Sequence, residues 1–556
     1  MAKTRLAVFL LLFSTLLVAN AAQKPNQAAI ASAHPTATKA GFEILAKGGN
    51  AFDAAVAVSA TLAVVEPYSS GIGGGGFWLL HQAKTKKSIM VDGRETAPLN
   101  ATRNMYLDRA GNVIPNLSVD GALAAGIPGE PAALVHIAKK YGRLSLAESL
   151  APAIRAARKG FVVKEEYRRM AGFRLKALQA SKAAARIFLK NNQVPPLGYV
   201  VKQPDLANTL EVIARKGHAG FYAGSVAKKL VAASKKANGI WNDKDFKFYK
   251  IKERQPIVSN YKGYKLTSVA PPSSGGVALA EILNILSAYN LDQLSDSNRI
   301  HVIVEAMRRA YRDRAEFLGD SDFVKVPVKK LISQKHATSL QQKIDFEKAT
   351  PSSSLKGVAD TSGGNHTTHF SILDKKGNRV SATLSVNYPF GSGFVAEGTG
   401  VLLNDEMDDF SAKPGVPNVY GLVGAEANAI EAGKRMLSSM SPTFIESNNK
   451  MAIIGTPGGS RIITMVLHGI LATIEGKSAE QVVNLPRYHH QYLPDVIQYE
   501  PGAINKKTVV TLKALGHKFK ALENTYGNMH VVIWDKKENK VTAASDKRGE
   551  GLSVVK

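Results

Sequence analysis

Cysteine is absent from all 556 residues. That excludes disulfides, thiolate nucleophiles and thiolate metal sites. Acidic residues are also scarce, 45 Asp and Glu against 72 Lys and Arg, for a formal charge of +27. Such a charge favours nucleic acid or anionic surfaces when it is concentrated. Here the lysines are scattered in pairs such as Lys228-Lys229, Lys235-Lys236 and Lys375-Lys376, with no dense tract interleaved with aromatics. The charge therefore reads as a solvated basic surface, not a nucleic-acid site; attraction to acidic envelope polymers stays open. Long hydrophobic runs are missing too. Residues 6–18 are apolar apart from Ser14 and Thr15, which is short of the about 20 residues a membrane span needs. With Lys3 and Arg5 before the run and Ala19-Asn20-Ala21 after it, residues 1–21 read as a signal peptide with Ala22 as the mature start. The expectation is export, with the periplasm as destination or, alternatively, secretion, and no stable membrane insertion.

Familiar catalytic motifs are lacking as well. There is no P-loop, no G-x-S-x-G and no H-E-x-x-H. The run Gly71 to Gly76 matches G-x-G-x-x-G, but a helix pattern precedes it and a strand pattern follows, the reverse of a dinucleotide site. His489 and His490 are adjacent and point apart on any regular element, which suits packing and hydrogen bonding better than metal binding. No metal and no cofactor is expected.

What is present is a chain with 45% hydrophobic residues, long enough for a large core. Helices are expected over residues 35–47, 50–65, 130–141, 145–159 and 277–289, with Asn50/Asp53 and Ser145/Glu148 as capping pairs. Strands are expected over 77–82 and 88–92. The middle, roughly 165–345, reads as mostly helical and basic, interrupted at Pro271-Pro272-Ser273-Ser274-Gly275-Gly276. Residues 351–365 then lose nearly all large apolar side chains and read as an exposed linker. Strand patterns follow at 367–373, 379–386, 529–534 and 540–545. Helix-rich and strand-rich parts thus meet near residue 366, which gives an α+β class.

At that joint stands Asn365-His366-Thr367-Thr368-His369-Phe370. A threonine between a linker and a strand offers a reachable peptide bond. Were the bond before Thr367 cut, its hydroxyl would lie beside a free α-amine of pKa about 7.7–8.0, a base able to take the hydroxyl proton. Spacing alone leaves the ordinary reading open, since β-branched residues favour strands anyway.

The order of motifs goes further. Gly48-Gly49-Asn50-Ala51-Phe52-Asp53, Asp92-Gly93-Arg94-Glu95, Thr367-Thr368-His369-Phe370-Ser371, Asn387-Tyr388-Pro389-Phe390-Gly391, Asn404-Asp405-Glu406-Met407-Asp408-Asp409-Phe410, Leu437-Ser438-Ser439-Met440-Ser441-Pro442 and Gly455-Thr456-Pro457-Gly458-Gly459-Ser460-Arg461 occur in sequence. Together they closely resemble the γ-glutamyltransferases, which are N-terminal-nucleophile hydrolases. The resemblance spans almost the whole mature chain.

It implies a four-layer αββα sandwich built jointly by two subunits, 22–366 and 367–556, cut from one precursor between His366 and Thr367. It implies γ-glutamyl donors such as glutathione, with water, amino acids or dipeptides as acceptors. Thr367 would be nucleophile and α-amine base, Gly458 and Gly459 the oxyanion hole, and Ser385 a hydroxyl that positions the nucleophile where the family often has Thr. Arg94, Ser438 and Ser439 would meet the glutamyl carboxylate; Asn387, Glu406 and Asp409 would meet its ammonium; Tyr420, in residues 414–424, would belong to a lid. The rival expectation is a related acylase acting on glutaryl or polyglutamyl amides, and a more distant one is a non-catalytic basic envelope protein.

Overall fold

The computed structural model describes residues 23–355 and 367–556; the expected signal peptide, His366 and most of the expected linker lie outside the described residues. Two antiparallel sheets form the centre. The first has seven strands in the order Leu552–Val555, Ala29–Ser32, Thr368–Leu373, Arg379–Ser385, Gly75–Gln82, Lys87–Gly93 and Lys252–Arg254. The second has six, Lys540–Ser545, His530–Asp535, Lys450–Gly455, Thr443–Glu446, Tyr264–Ser268 and Ile257–Tyr261.

Strand alternation builds the layers. Phe370, Ile372, Val380, Ala382 and Leu384 of the first sheet pack with the helix Ala51–Val65 in one core. Phe77, Leu79 and Leu373 of the same sheet turn the other way, into a core shared with Met451, Ile453 and the helices Gly275–Leu286 and Ile462–Ile474. The result is helix, sheet, sheet, helix. Ala51–Val65 is buried at every position, consistent with its unbroken Ala and Val run. Its Asn50/Asp53 capping box forms as expected, and so does that of Ser145 and Glu148 ahead of Leu146–Lys159.

The middle of the chain is mostly helical, as expected, but it also holds strands that the expectation missed. Among its helices lie the strands Lys252–Arg254, Ile257–Tyr261 and Tyr264–Ser268, which supply strands to both sheets. They are short and carry exposed polar residues such as Lys252 and Glu253, so their pattern lacks a buried stripe. The start of the linker is also more anchored than its composition suggests. Ser352 is buried; its N–H donates to Asp495 Oδ2 at 2.7 Å and its hydroxyl accepts from Arg308 at 2.6 Å. No helix among the described residues is long and apolar enough to cross a membrane.

Candidate active site

Thr367 directly precedes the strand Thr368–Leu373, in the interior of the first sheet. Period two sends Thr368, Phe370 and Ile372 toward the helices and Thr367, His369 and Ser371 toward the second sheet. There Ser371 Oγ donates to His530 O at 3.0 Å, and the rings of His369 and His530 stack at 6.3 Å. Burial holds both imidazoles well below the usual histidine range, so they stay neutral.

The second sheet contributes the other half. Its strand Lys450–Gly455 runs into Thr456-Pro457-Gly458-Gly459 before the helix Ile462–Ile474. The Gly458 N–H donates to Thr367 Oγ1 at 3.1 Å. Gly458 and Gly459 have φ of 143° and 54°, and a Cβ at Gly458 would come within 2.4 Å of Met465 Cε. Glycine is therefore required for the turn that aims this amide. The N-terminal end of the following helix adds positive potential where an oxyanion would form.

Arg94 sits just past the strand Lys87–Gly93 and is fully buried. One guanidinium nitrogen lies 2.8 Å from Glu406 Oε2, a second donates to Asp409 Oδ2, and Nε donates to Met436 O at 3.3 Å. Glu406 and Asp409 belong to the tight turn Glu406–Asp409. Arg94 is thus no surface ion pair and Asp408-Asp409 no solvated turn, since Arg94 and Asp408 are both buried. Burial pushes the Glu406 and Asp409 carboxyls up, and Arg94 draws them back. Burial opposes the charge on Arg94, but Glu406, Asp409 and Glu95 outweigh it and strengthen its hold on the proton. With Glu95 at 3.6 Å, three carboxyls surround one guanidinium. Glu406 Oε1 is buried without a hydrogen-bond partner.

Ser385 ends the strand next to that of Thr367, and its Oγ accepts from Asn387 N at 2.7 Å. Asn387 has φ of 72° and donates from Nδ2 to Asp405 O at 3.0 Å. The Tyr420 hydroxyl donates to Asn387 O at 2.7 Å, and Asn418 Nδ2 donates to Asp409 Oδ1 at 3.2 Å, so residues 414–424 close over the acidic turn. Arg94, Thr367, Ser385, Asn387, Glu406, Asp409, Tyr420, Ser438, Ser439 and Gly459 line one cavity, whose free space is about 20 Å³. That is room for about one water molecule. Gly458 reaches the same nucleophile from the open side, in a cleft of about 500 Å³.

Three supporting residues escaped the sequence reading. Arg314, on the helix Asp296–Phe317, donates to Ser439 Oγ at 3.2 Å and Ser274 Oγ at 3.0 Å. The Ser274 hydroxyl in turn donates to Ser438 O at 2.7 Å. Asn404 Nδ2 donates to Gly73 O and Gly126 O at 2.7 and 2.9 Å, pinning the acidic turn to the glycine run. That pin explains the G-x-G-x-x-G match: a Cβ at Gly73 would lie 1.9 Å from Leu402 O, and at Gly74 2.0 Å from Ser385 O. The glycines admit close backbone packing beside the site, not a phosphate.

His489 and His490 are buried and hydrogen-bonded, His489 to Thr464 Oγ1 at 2.8 Å and His490 to Asp495 Oδ1 at 3.1 Å. Glu281, Asp313 and His336 do come together, with His336 Nε2 2.6 Å from Asp313 Oδ2 and Arg312 Nη2 2.9 Å from Asp313 Oδ1. None of these lines either space beside Thr367. They read as a hydrogen-bonded acid pair, Glu281 with Asp313, set beside Arg312 and His336.

Against known proteins, residues 37–555 match the family model described as gamma-glutamyltranspeptidase. The chain is 44% identical over 88% of its length to the glutathione hydrolase proenzyme of Pseudomonas sp. (strain A14), covering 86% of that protein. The fold matches the crystal structure of cephalosporin acylase from Bacillus halodurans with a TM-score of 0.83 and 27% identity, over 96% of each chain. It matches the Helicobacter pylori gamma-glutamyltranspeptidase structure at 42% identity and a TM-score of 0.57, over 58% of this chain and 93% of that one.

Proposed function

The chain belongs to the gamma-glutamyltranspeptidase family, and on that basis we propose that it is an exported, self-cutting γ-glutamyltransferase that also hydrolyses glutathione. The observation that carries this is the meeting of Thr367 Oγ1 with the Gly458 N–H, in the wall of a cavity lined by one buried guanidinium and two carboxyls.

In maturation the Thr367 hydroxyl attacks the carbonyl of His366. The peptide becomes an ester as the C–N bond breaks and frees the Thr367 α-amine; water then cleaves that ester, releasing the His366 carboxylate and the Thr367 hydroxyl. In turnover that amine takes the hydroxyl proton while Oγ1 attacks the donor γ-carbonyl. The amides of Gly458 and Gly459 meet the developing oxyanion, an effect worth about 2.7–4 kcal/mol for one such donor. Arg94 with Ser438 and Ser439 accepts the glutamyl carboxylate. Glu406 and Asp409 meet its ammonium, with Asn387 and Ser385 holding the rim. The leaving amine departs, and water or an amino group takes the γ-glutamyl unit. No metal enters this scheme. The two pieces stay together as a heterodimer, in the periplasm or outside the cell.

The match to a cephalosporin acylase favours one rival, an acylase for glutaryl-type amides. The carboxyls around Arg94 argue against it, because a donor without an α-ammonium would add its carboxylate to three carboxyls and one guanidinium and bring no cation to balance it. The test pairs intact mass and N-terminal sequencing of protein made without residues 1–21 with the same protein carrying Thr367→Ala. The expected result is two pieces, the smaller beginning at Thr367, and an uncut, inactive variant. A wild-type chain that stays whole yet turns over γ-glutamyl anilide would remove Thr367 as the N-terminal nucleophile. Equal rates on the γ-glutamyl and glutaryl anilides would favour the acylase.

A further inference from the structure

Thr367 stands in a wall between two spaces. The closed cavity holds the residues suited to a glutamyl head. The open cleft of about 500 Å³ meets Thr367 from the other side, where an acceptor must enter. Glu66 lines that cleft, yet is only 4% exposed. It follows the helix Ala51–Val65, and its carbonyl accepts from Ser69 N and Ser70 N at 2.8 and 3.0 Å, so its backbone is held by a turn. Its Oε2 accepts from Thr368 Oγ1 at 2.7 Å, from the residue next to the nucleophile. The scheme above uses neither Glu66 nor Thr368.

Burial pushes the Glu66 carboxyl up to about 7; the Thr368 hydrogen bond opposes this, and Glu166 and Glu550 add to it. Tyr68 faces it from the same loop, Glu166 from the helix Glu165–Phe173, and Glu550 from ahead of the last strand, itself 3.0 Å from Lys164. Arg169, Arg461 and Arg548 also line the cleft. A buried carboxyl that titrates near neutrality, in the wall of the cleft that also reaches Thr367, has the properties of a general base.

We propose that Glu66 is the acceptor-side base of the transfer step, taking a proton from the incoming ammonium so that its nitrogen can attack the ester on Thr367. This rests on the reading of Thr367 as the acylated residue. One ammonium proton passes to the Glu66 carboxylate and on to solvent through the cleft. The freed lone pair forms the new C–N bond to the γ-carbonyl, the C–Oγ1 bond breaks, and a second N–H proton ends on Thr367 Oγ1. Atoms and charge balance without any co-reactant. Water needs no such deprotonation before binding, so hydrolysis depends on Glu66 less.

The experiment follows Glu66→Gln and Thr368→Val in the processed enzyme, with γ-glutamyl-p-nitroanilide as donor and glycylglycine as acceptor from pH 6 to 9. The p-nitroaniline burst reports acylation, and product analysis separates transfer from hydrolysis. With Glu66→Gln the burst is expected to survive, transfer to fall by about 10²-fold, and the rise in transfer rate near pH 7 to vanish. With Thr368→Val the carboxylate loses a stabilising partner, so that rise is expected to move to higher pH. A Glu66→Gln enzyme whose transfer keeps its wild-type rate and pH profile overturns the proposal, as does a parallel loss of burst and transfer, or a Thr368→Val profile that does not move. A wild type with no burst at all would instead sink the acyl-enzyme reading beneath it.

Discussion

Arg94 shows how much one residue carries here. It is fully buried, and its charge is tolerated only because Glu406 and Asp409 pair with it. Replacing it with alanine strands buried carboxyls, at a cost of about 3–5 kcal/mol for breaking such a pair. Arg94→Ala is therefore expected to lower the melting temperature and to reduce processing. Arg94→Lys keeps the charge but loses the planar fork. It should fold, and kcat/KM for γ-glutamyl donors should fall by roughly 10–100-fold, about 1.5–3 kcal/mol, mostly through KM. A glutaryl anilide, which keeps the carboxylate, should lose a similar factor; an amide lacking that carboxylate should lose little. Thermal melts and initial rates on the three donors check this. At this scale the sequence was legible where chemistry is named by residue type. Arg94, Glu406 and Asp409 could be picked out by family motif and all reach one cavity. The roles of Arg314 and Asn404 were not legible, because each works through backbone or hydroxyl groups brought near by folding.

At the scale of elements, the lid is the part expected to move. Residues 414–424 are held by a few polar links: Tyr420 to Asn387 O, Val419 N to Asp408 Oδ2 at 2.9 Å, and Gln491 Nε2 to Gly421 O at 3.0 Å. With about 20 Å³ free beneath it, a glutamyl group is expected to enter only when residues 414–424 move away. Tyr420→Phe removes one hydrogen bond and keeps the ring, a change of about 0.5–1.5 kcal/mol. The expected outcome is a three- to ten-fold drop in donor kcat/KM, with self-cutting unaffected. Steady-state rates beside a processing gel measure both; loss of processing would show that Tyr420 holds the fold and not the lid. The same scale explains which elements could be read in advance. Ala51–Val65 and Leu146–Lys159 announce themselves with capping boxes, and the strands on either side of Asp374 to Asn378 with a turn between apolar runs. Ile257–Tyr261 lacks that contrast, since it is the edge strand of the second sheet, buries only its two end residues and leaves the apolar Val258 exposed.

The whole molecule constrains what a cut at residue 366 can do. In the first sheet the strand Thr368–Leu373 lies between Ala29–Ser32 and Arg379–Ser385, and Arg379–Ser385 in turn pairs with Gly75–Gln82. The last strand, Leu552–Val555, pairs with Ala29–Ser32. In the second sheet Thr443–Glu446 pairs with Tyr264–Ser268. Strands from before and after residue 366 therefore pair with one another in both sheets, at three junctions in the first and one in the second. Separating the pieces would expose several full strand edges and both cores, far more than the marginal stability of a folded domain can meet. The processed protein is expected to elute from gel filtration at the size of the uncut chain, to show two bands only under denaturing conditions, and to melt in one cooperative transition. Cutting also releases Thr367 from its upstream neighbour without moving the strand that carries it, because that strand is paired on both sides. Maturation can then change the chemistry at residue 367 while leaving the cavity walls in place. Elution of the two pieces apart in native buffer, or two separate melting transitions, would show that the sheets do not hold them and would break this argument.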